Sequence, residues 1–344
     1  MKPLRIAVAG CGYFSRFQYE AWREMVAVEI VGNCALDLAE AESVALEYGV
    51  ARSFEDPQAL LDAVKPDIFD IVTPPPTHLD LVREAAARGI ATICQKPLAP
   101  SLAEAEALVE IAEEAGIMLA VHENFRFQPW YRELRRLIDM DWFGRLHAMA
   151  FRFRPGDGQG PRAYLDRQPY FQAMKRFLIH ETIIHYIDTF RYLGGEVASV
   201  YAQLRRLNPV IAGEDAGIVM LGFQSGVSGL IDGNRLNDHP AANTRLTHGE
   251  FWLEGETGVM RLDGDGGLWW KAHGLPETRH DYVWRDRGFA GDCVYAFQRH
   301  VVDHLRDQGA LETAGRDYLR NIRIEEAVYE SDRSGHRVDL DFEV

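Results

Sequence analysis

The sequence predicts a doubly wound, parallel α/β domain followed by an α+β domain with an open, mainly antiparallel sheet. Three observations predict it. Residues 1–123 alternate short continuous apolar runs with amphipathic helical stretches, a glycine turn follows the first run directly, and past residue 124 strand-like stretches are separated by glycine-rich turns. Continuous apolar runs suit strands buried on both faces of a parallel sheet, and strand–helix repetition with short connections winds such a sheet on both sides. The domain limits are therefore 1–123 and 124–344.

The strands of the first domain fall at 4–9, 29–34, 68–73, 90–94 and 117–121. Between them, apolar residues recur at three- and four-residue steps over 16–25, 38–48, 57–64, 78–88 and 102–115, which predicts helices. In the second domain the helical pattern returns at 130–139, 177–193, 292–307 and 315–331. Strands are expected at 218–223 and 227–231, flanking the hairpin turn Gln224-Ser225-Gly226, and again at 246–253, 259–262, 268–271 and 282–284.

Composition removes several classes of function. The 344 residues carry 52 Asp plus Glu against 37 Lys plus Arg, a net charge of −15 that repels phosphate and argues against a nucleic-acid partner. Seventeen Phe, 13 Tyr and 7 Trp supply too many apolar anchors for a disordered chain. No run reaches the roughly 18 apolar residues of a membrane-spanning helix, and 6–9 is too short for a secretory leader. Cys11, Cys34, Cys94 and Cys293 fit neither a disulfide framework nor metal-ligand spacing. A reducing cytoplasm is the expected setting.

Gly10-Cys11-Gly12-Tyr13-Phe14-Ser15 follows the first strand and opens a helix. It matches the dinucleotide fingerprint at two glycines, with Ser15 in the third place. The first glycine permits the tight turn, and the second lets backbone approach a pyrophosphate. The phosphates then lie on the free N–H groups and positive dipole end of the helix. Gly10, Gly12, Tyr13, Phe14 and Ser15 are thus candidate cofactor-binding residues, the alternative being a glycine turn without a ligand. Asp37 stands near the expected position of a ribose-binding acid, and reads equally well as an N-cap. No Arg or Lys next to it offers a clamp for a 2′-phosphate, which favours NAD without excluding NADP.

The third strand ends in Thr73-Pro74-Pro75-Pro76-Thr77-His78, a rigid loop at a carboxyl strand end, where open α/β sheets bind ligands. Backbone at Thr73, Pro74 and Pro75 is expected to meet the nicotinamide. His78 joins the cofactor candidates, though it suits packing the next helix better. The fourth strand ends in Gln95-Lys96-Pro97; a Lys before Pro is held extended, so its ammonium would project over the same crevice and exchange a proton with a substrate oxygen.

His180-Glu181-Thr182-Ile183-Ile184-His185 resembles a zinc-protease helix, but histidines five apart diverge by about 140° around an α-helix and cannot share a metal. Glu181, His185 and Asp188 would share one face, where a carboxylate beside an imidazole fixes its tautomer and raises its basicity. A hydrogen-bonded stripe at a helix–sheet boundary is the plainer alternative.

Taken in order over nearly the whole chain, the glycine turn, Thr73-Pro74-Pro75 with His78, Gln95-Lys96-Pro97, Asn124-Phe125-Arg126, His185-Tyr186-Ile187-Asp188 and Gly255-Glu256-Thr257-Gly258 resemble the Gfo/Idh/MocA family of nicotinamide-dependent oxidoreductases. The resemblance implies a Rossmann-type first domain and a C-terminal domain built on an open antiparallel sheet. It implies an NAD(P)-dependent dehydrogenase acting on CH–OH groups of a sugar, sugar lactone or polyol. The family's catalytic Lys falls on Lys96, and its Asp-x-x-x-His pair falls on Glu181 and His185, with His185 the acid/base. Gln95 would lie beside the cofactor and Arg126 against substrate or cofactor. A homodimer or homotetramer through the second-domain sheet is implied too. Three departures stand out: Gln95 where Glu is usual, Glu181 for Asp, and Met174-Lys175-Arg176-Phe177 in place of a glycine-rich stretch. Two other readings are a non-catalytic NAD(P)- or sugar-binding regulator and an NAD-dependent glycoside hydrolase.

Overall fold

The computed structural model describes residues 2–307 and 309–342, so Met1 and Val344, the ends of the two expected domains, lie outside the described residues. The chain forms two compact units, Met1–Asn124 with Cys293–Leu319, and Phe125–Asp292 with Arg320–Val344. This division departs from the sequence limits in two respects: Asn124 and residues 293–319 belong to the first unit.

The first unit is built on strands β1 (Leu4–Ala9), β2 (Val28–Cys34), β3 (Ser53–Phe54), β4 (Ile68–Ile71), β5 (Ala91–Gln95) and β6 (Leu119–His122). They form one parallel sheet in the order β3-β2-β1-β4-β5-β6. Five coincide with the expected strands; two-residue β3 is too short for periodicity to reveal. Every residue of β4 and β6 is buried, as a sheet covered on both faces requires. The connecting helices are α1 (Ser15–Glu24), α2 (Leu38–Tyr48), α3 (Pro57–Val64), α4 (His78–Ala86) and α5 (Leu102–Glu114). Their starts are written locally. Asp37 caps α2, Asp56 caps α3 ahead of Pro57, and Ser101 caps α5. Strand order reverses between β1 and β4, which opens a crevice at their carboxyl ends. The late segment of this unit packs by side chain and backbone: Gln298 Nε2 donates to the Gln18 carbonyl at 3.3 Å, and Val121 N–H to Thr313 O at 2.8 Å.

The second unit holds α6 (Pro129–Asp139), β7 (Leu146–Phe153), α7 (Ile184–Gly194), β8 (Val197–Arg205), β9 (Ala216–Phe223), β10 (Ser228–Asn234), α8 (Thr244–Thr247), β11 (Gly249–Gly255), β12 (Gly258–Leu262), β13 (Leu268–Ala272), β14 (Thr278–His280) and β15 (Val338–Asp339). The nine strands run β14-β13-β12-β11-β7-β10-β9-β8-β15, antiparallel except for the parallel pair β7–β10. Burial alternates along β9 and β12, so one face is packed. Phe151 stacks on Tyr186 of α7 at 4.0 Å on that face. The remaining helices are α9 (Cys293–Leu305), in the first unit, and α10 (Gly315–Ser334), within which the division falls.

Two expected strands are corrected. Residues 246–253 begin in α8, pass through His248 in a left-handed conformation, and become β11 only at Gly249. A Cβ at Gly249 would lie 2.0 Å from the Arg152 carbonyl oxygen, so that close strand pairing demands glycine. Residues 282–284 form no strand; Tyr282 instead turns its hydroxyl to the Gly266 carbonyl at 2.5 Å.

One polar side chain lies in the core of the first sheet. Asp70, fully buried in β4, accepts a hydrogen bond from Trp22 Nε1 at 2.7 Å through Oδ2, while Oδ1 has no partner among the described residues. Burial pushes its pKa up to about 7, against the opposing Trp22 hydrogen bond. In the unfolded chain the same group ionises near pH 3.9, so between about pH 4 and 7 the folded state holds the extra proton and stability falls as pH rises. Asp70→Asn should remove this dependence: between pH 5 and pH 8 the wild type is expected to lose up to about 3 kcal/mol more than the variant. Urea unfolding at both pH values measures it, and parallel profiles would refute the assignment.

Candidate active site

Gly10 has φ +114°, and a Cβ there would lie 3.0 Å from Val72 C and 3.1 Å from Thr73 N. Both the backbone conformation and this close approach to the chain leaving β4 exclude any other residue. Its N–H donates to the Cys34 carbonyl at 2.8 Å, which ties the loop to the end of β2 as well. Gly12 differs: a Cβ there would meet no atom of the described residues within 4 Å. Ser15 Oγ donates to the Gly12 carbonyl at 2.7 Å, so the serine in the third fingerprint place closes the turn. Phe14, at the N-cap of α1, supplies no capping side chain, and the first turn holds no acidic residue. Helix N–H groups without side-chain caps, beside the open direction at Gly12, make an anion-binding end. Tyr13 is exposed at its rim, edge-on to Phe17. Asp37 is exposed and uses Oδ1 to accept from Ala39 N–H at 2.9 Å, so its capping role is real and engages one carboxylate oxygen.

The Thr73–Thr77 loop is pinned by its own hydroxyls, 2.6 Å apart, and by Thr77 Oγ1 donating to the Pro74 carbonyl at 2.9 Å. His78 corrects an expectation. It is fully buried, with Nδ1 3.0 Å from Leu98 O and Nε2 2.7 Å from Thr73 O, and it latches this loop to the chain after Pro97 instead of facing a cofactor. Burial pushes its pKa down against both carbonyls, and a neutral ring donates to only one of them. Gln95 Oε1 accepts from Lys96 N–H at 2.8 Å, folding the glutamine back onto the lysine's backbone. Lys96 is half-buried, and its peptide bond to Pro97 is cis.

In the second unit, Leu178–Ile183 is a π-helix that passes into α7. Glu214 organises its start: Oε1 accepts from Phe177 N–H at 3.0 Å and Ile179 N–H at 3.1 Å, and its carbonyl accepts from Leu178 N–H. A Cβ at Gly213 would lie 2.7 Å from the carbonyl oxygens of both Met174 and Lys175, so only glycine brings Glu214 this close. The segment 174–177, noted above as standing in place of a glycine-rich stretch, is thus held by a residue distant in sequence. A π-helix closes i→i+5 bonds, so α-helical angles do not apply over 178–183 and the single face expected for Glu181, His185 and Asp188 is not formed on that basis.

Each of the three has its own surroundings. The Glu181 carboxylate meets the Thr182 hydroxyl and Arg235 Nη2, the latter at 2.9 Å. Arg235, fully enclosed, also pairs with Asp157 at 3.0 Å and lies over the Phe177 ring at 4.6 Å. Burial by itself would raise the Asp157 pKa, but Arg235 and Arg167 overcome it and hold the carboxyl low. Asp188 is bound by Arg126 through Nε at 2.6 Å and Nη2 at 2.5 Å, and by Asn321 Nδ2 at 2.7 Å. Arg126, expected against substrate or cofactor, thus makes an internal ion pair. His185 is 5% exposed and stacks on Phe125 at 3.9 Å with planes 4° apart. Arg235 escaped sequence reasoning because it belongs to no motif with a spacing rule, and Phe125 was read only as the middle of Asn124-Phe125-Arg126, with no role of its own.

Residues 4–123 match the model of an oxidoreductase family with an NAD-binding Rossmann fold, and residues 131–261 match the GFO/IDH/MocA C-terminal domain. The chain is 34% identical to a D-apiose dehydrogenase of Paraburkholderia graminis over 99% of this chain and 90% of that one. It is 32% identical to the D-apiose dehydrogenase of Rhizobium rhizogenes, covering 99% and 98%. Among solved structures, an Agrobacterium radiobacter oxidoreductase in complex with NAD+, L-tartaric acid and magnesium matches with a TM-score of 0.89 at 31% identity, over 98% of each chain.

The Arg126–Asp188 geometry makes a stability prediction. Arg126→Leu leaves a carboxylate buried with its guanidinium removed, and should cost about 3–5 kcal/mol. Adding Asp188→Asn should recover part of that loss. Denaturant melts of the three proteins test it, and an Arg126→Leu protein as stable as wild type would refute it.

Proposed function

The chain belongs to the Gfo/Idh/MocA oxidoreductase family, and we propose that it is an NAD-dependent dehydrogenase that oxidises a CH–OH group of a sugar, sugar lactone or polyol, or reduces the corresponding carbonyl. The observation that carries the cofactor is the open direction at Gly12, beside an uncapped helix start at the β1/β4 reversal. Full-length similarity to two D-apiose dehydrogenases supports a sugar substrate and favours turnover over a regulatory or glycoside-hydrolase role.

The residues fit the cofactor. Backbone from Gly10 to Ser15, with Tyr13 and Phe14, would hold the pyrophosphate, and the second oxygen of Asp37 the ribose. Thr73, Pro74 and Pro75 would flank the nicotinamide by backbone, with Gln95 shaping the turn into Lys96. Bound NAD supplies the hydride acceptor. His185 is proposed as the acid/base that takes the proton of the reacting hydroxyl, on its own motif, and Lys96, just past β5, as the family's catalytic lysine, on its own. Phe125 holds the His185 ring in plane, and Glu181, anchored by Arg235, holds the preceding turn.

Apolar Met220, Leu230 and Ile218 lie exposed on β9 and β10, with Leu230 directly opposite Met220, which supports assembly through this sheet face into a homo-oligomer. All four cysteines are free and buried, which supports a reducing, cytoplasmic setting. Among the described residues no helix is long and apolar enough to cross a membrane.

NADH formation over D-apiose, myo- and scyllo-inositol and alkyl D-glucosides tests the reading. Lys96→Met and His185→Asn should each lower kcat about 10²- to 10⁴-fold. Full activity in either variant removes that residue's role, and no NADH from any substrate removes the reading. Gly12→Ala separates binding from folding. The methyl meets no protein atom, so thermal stability should stay within about 0.5 kcal/mol of wild type. NADH affinity by fluorescence titration should fall at least about tenfold, since backbone no longer reaches the pyrophosphate. Unchanged affinity would place the cofactor elsewhere.

A further inference from the structure

We propose that His248 is a substrate-binding residue, donating from Nε2–H to a sugar hydroxyl other than the one oxidised. This rests on the dehydrogenase reading above.

His248 sits between α8 and β11 at φ +61°, in the left-handed region that glycine or asparagine occupies at least cost. This left-handed residue ends α8 as its C-cap and sets the histidine at the head of β11. Its side chain is enclosed; the residue is 8% exposed, and its ring lies 5.4 Å from Phe125, 6.0 Å from Phe289 and 6.3 Å from Phe153. Phe125 is the same ring on which His185 stacks, so the two imidazoles share one aromatic neighbour.

Nδ1 of His248 is sealed, with no hydrogen-bond partner among the described residues. A buried N–H without an acceptor is rarer than a buried acceptor without a donor, which assigns the proton to Nε2. Burial, helped by Arg245, Arg235 and His185 and opposed by Asp157, pushes the ring's pKa down to about 3, so it remains a neutral donor throughout the working range. A neutral single donor beside aromatic faces suits an uncharged hydroxyl on a ring with a C–H face. A carboxylate would call for a cation, and Arg235 is already engaged by Asp157 and Glu181. Nε2 makes no hydrogen bond among the described residues and, unlike Nδ1, is not sealed, so it is the ring nitrogen that a ligand can reach.

Two variants divide the possibilities. His248→Asn keeps tolerance of the left-handed backbone and loses the ring; His248→Phe keeps the ring and loses the donor. Each is assayed with D-apiose, myo-inositol and methyl β-D-glucoside and with their single-deoxy analogues. Both variants should bind NADH like wild type, raise the sugar KM about tenfold or more, and change kcat by less than about threefold. The deoxy sugar lacking the contacted hydroxyl, a poor substrate for wild type, should react with the variants as well as its parent does. An unchanged KM, a fall in kcat at constant KM, or a wild-type KM in His248→Phe overturns the assignment. Should a variant fail to fold, the other variant and the deoxy series on wild type decide, and a wild type indifferent to every deletion overturns it. A wild type that oxidises none of the sugars overturns the dehydrogenase reading and this assignment with it, whereas an active wild type with unaltered variants overturns this assignment only.

Discussion

Arg126 and Asp188 form an ion pair shut away from water, and the active half of the second unit is arranged around it. Two parallel bonds from one guanidinium fix both the distance and the plane of the partners. Phe125 precedes Arg126 and His185 precedes Asp188 by one turn, so holding the charged pair also lays the Phe125 ring flat against the imidazole. Asn321 from α10 satisfies a further lone pair of Asp188, and Arg191 in turn donates to Asn321 at 2.8 Å. Such a network tolerates the desolvation of its charges only while every member is satisfied. The placement of the His185 ring is therefore inherited from groups outside the ring stack itself.

The buried carboxylates of this molecule show how neighbours decide the fate of a charge. Asp157 is enclosed yet held low by two arginines, whereas Glu214 is raised by burial because only a tyrosine hydroxyl and backbone N–H groups oppose it. Asp70 has one indole N–H against its burial and is pushed up to about 7. The three are one functional group in three surroundings: counter-charge, dipoles, and close to nothing.

The two glycines of the nucleotide loop differ for the same kind of reason. Gly10 is required by protein backbone 3.0 Å away, whereas a Cβ at Gly12 would meet no atom of the described residues within 4 Å. A residue that the fold does not need to be glycine, placed where a side chain would fill the mouth of a helix, points to a ligand rather than to packing.

Much of this was legible from local pattern. Parallel strands announce themselves as continuous apolar runs, helix starts by Asp37, Asp56 and Ser101, and the nucleotide loop by two glycines and a small residue after a strand. The sequence by itself therefore determined the two-part architecture, the positions of the first sheet's main strands along the chain and the place of the glycine turn after β1, because each depends on residues only a few positions apart. Tertiary structure decided the rest. Arg126 found Asp188 across 62 positions and Glu181 found Arg235 across 54, and no spacing rule relates charges so far apart. The π-turn at 178–183 starts where a distant carboxylate, Glu214, takes the backbone N–H groups of Phe177 and Ile179. His248 acquires its enclosed neutral ring only when three phenylalanines from separate segments close around it.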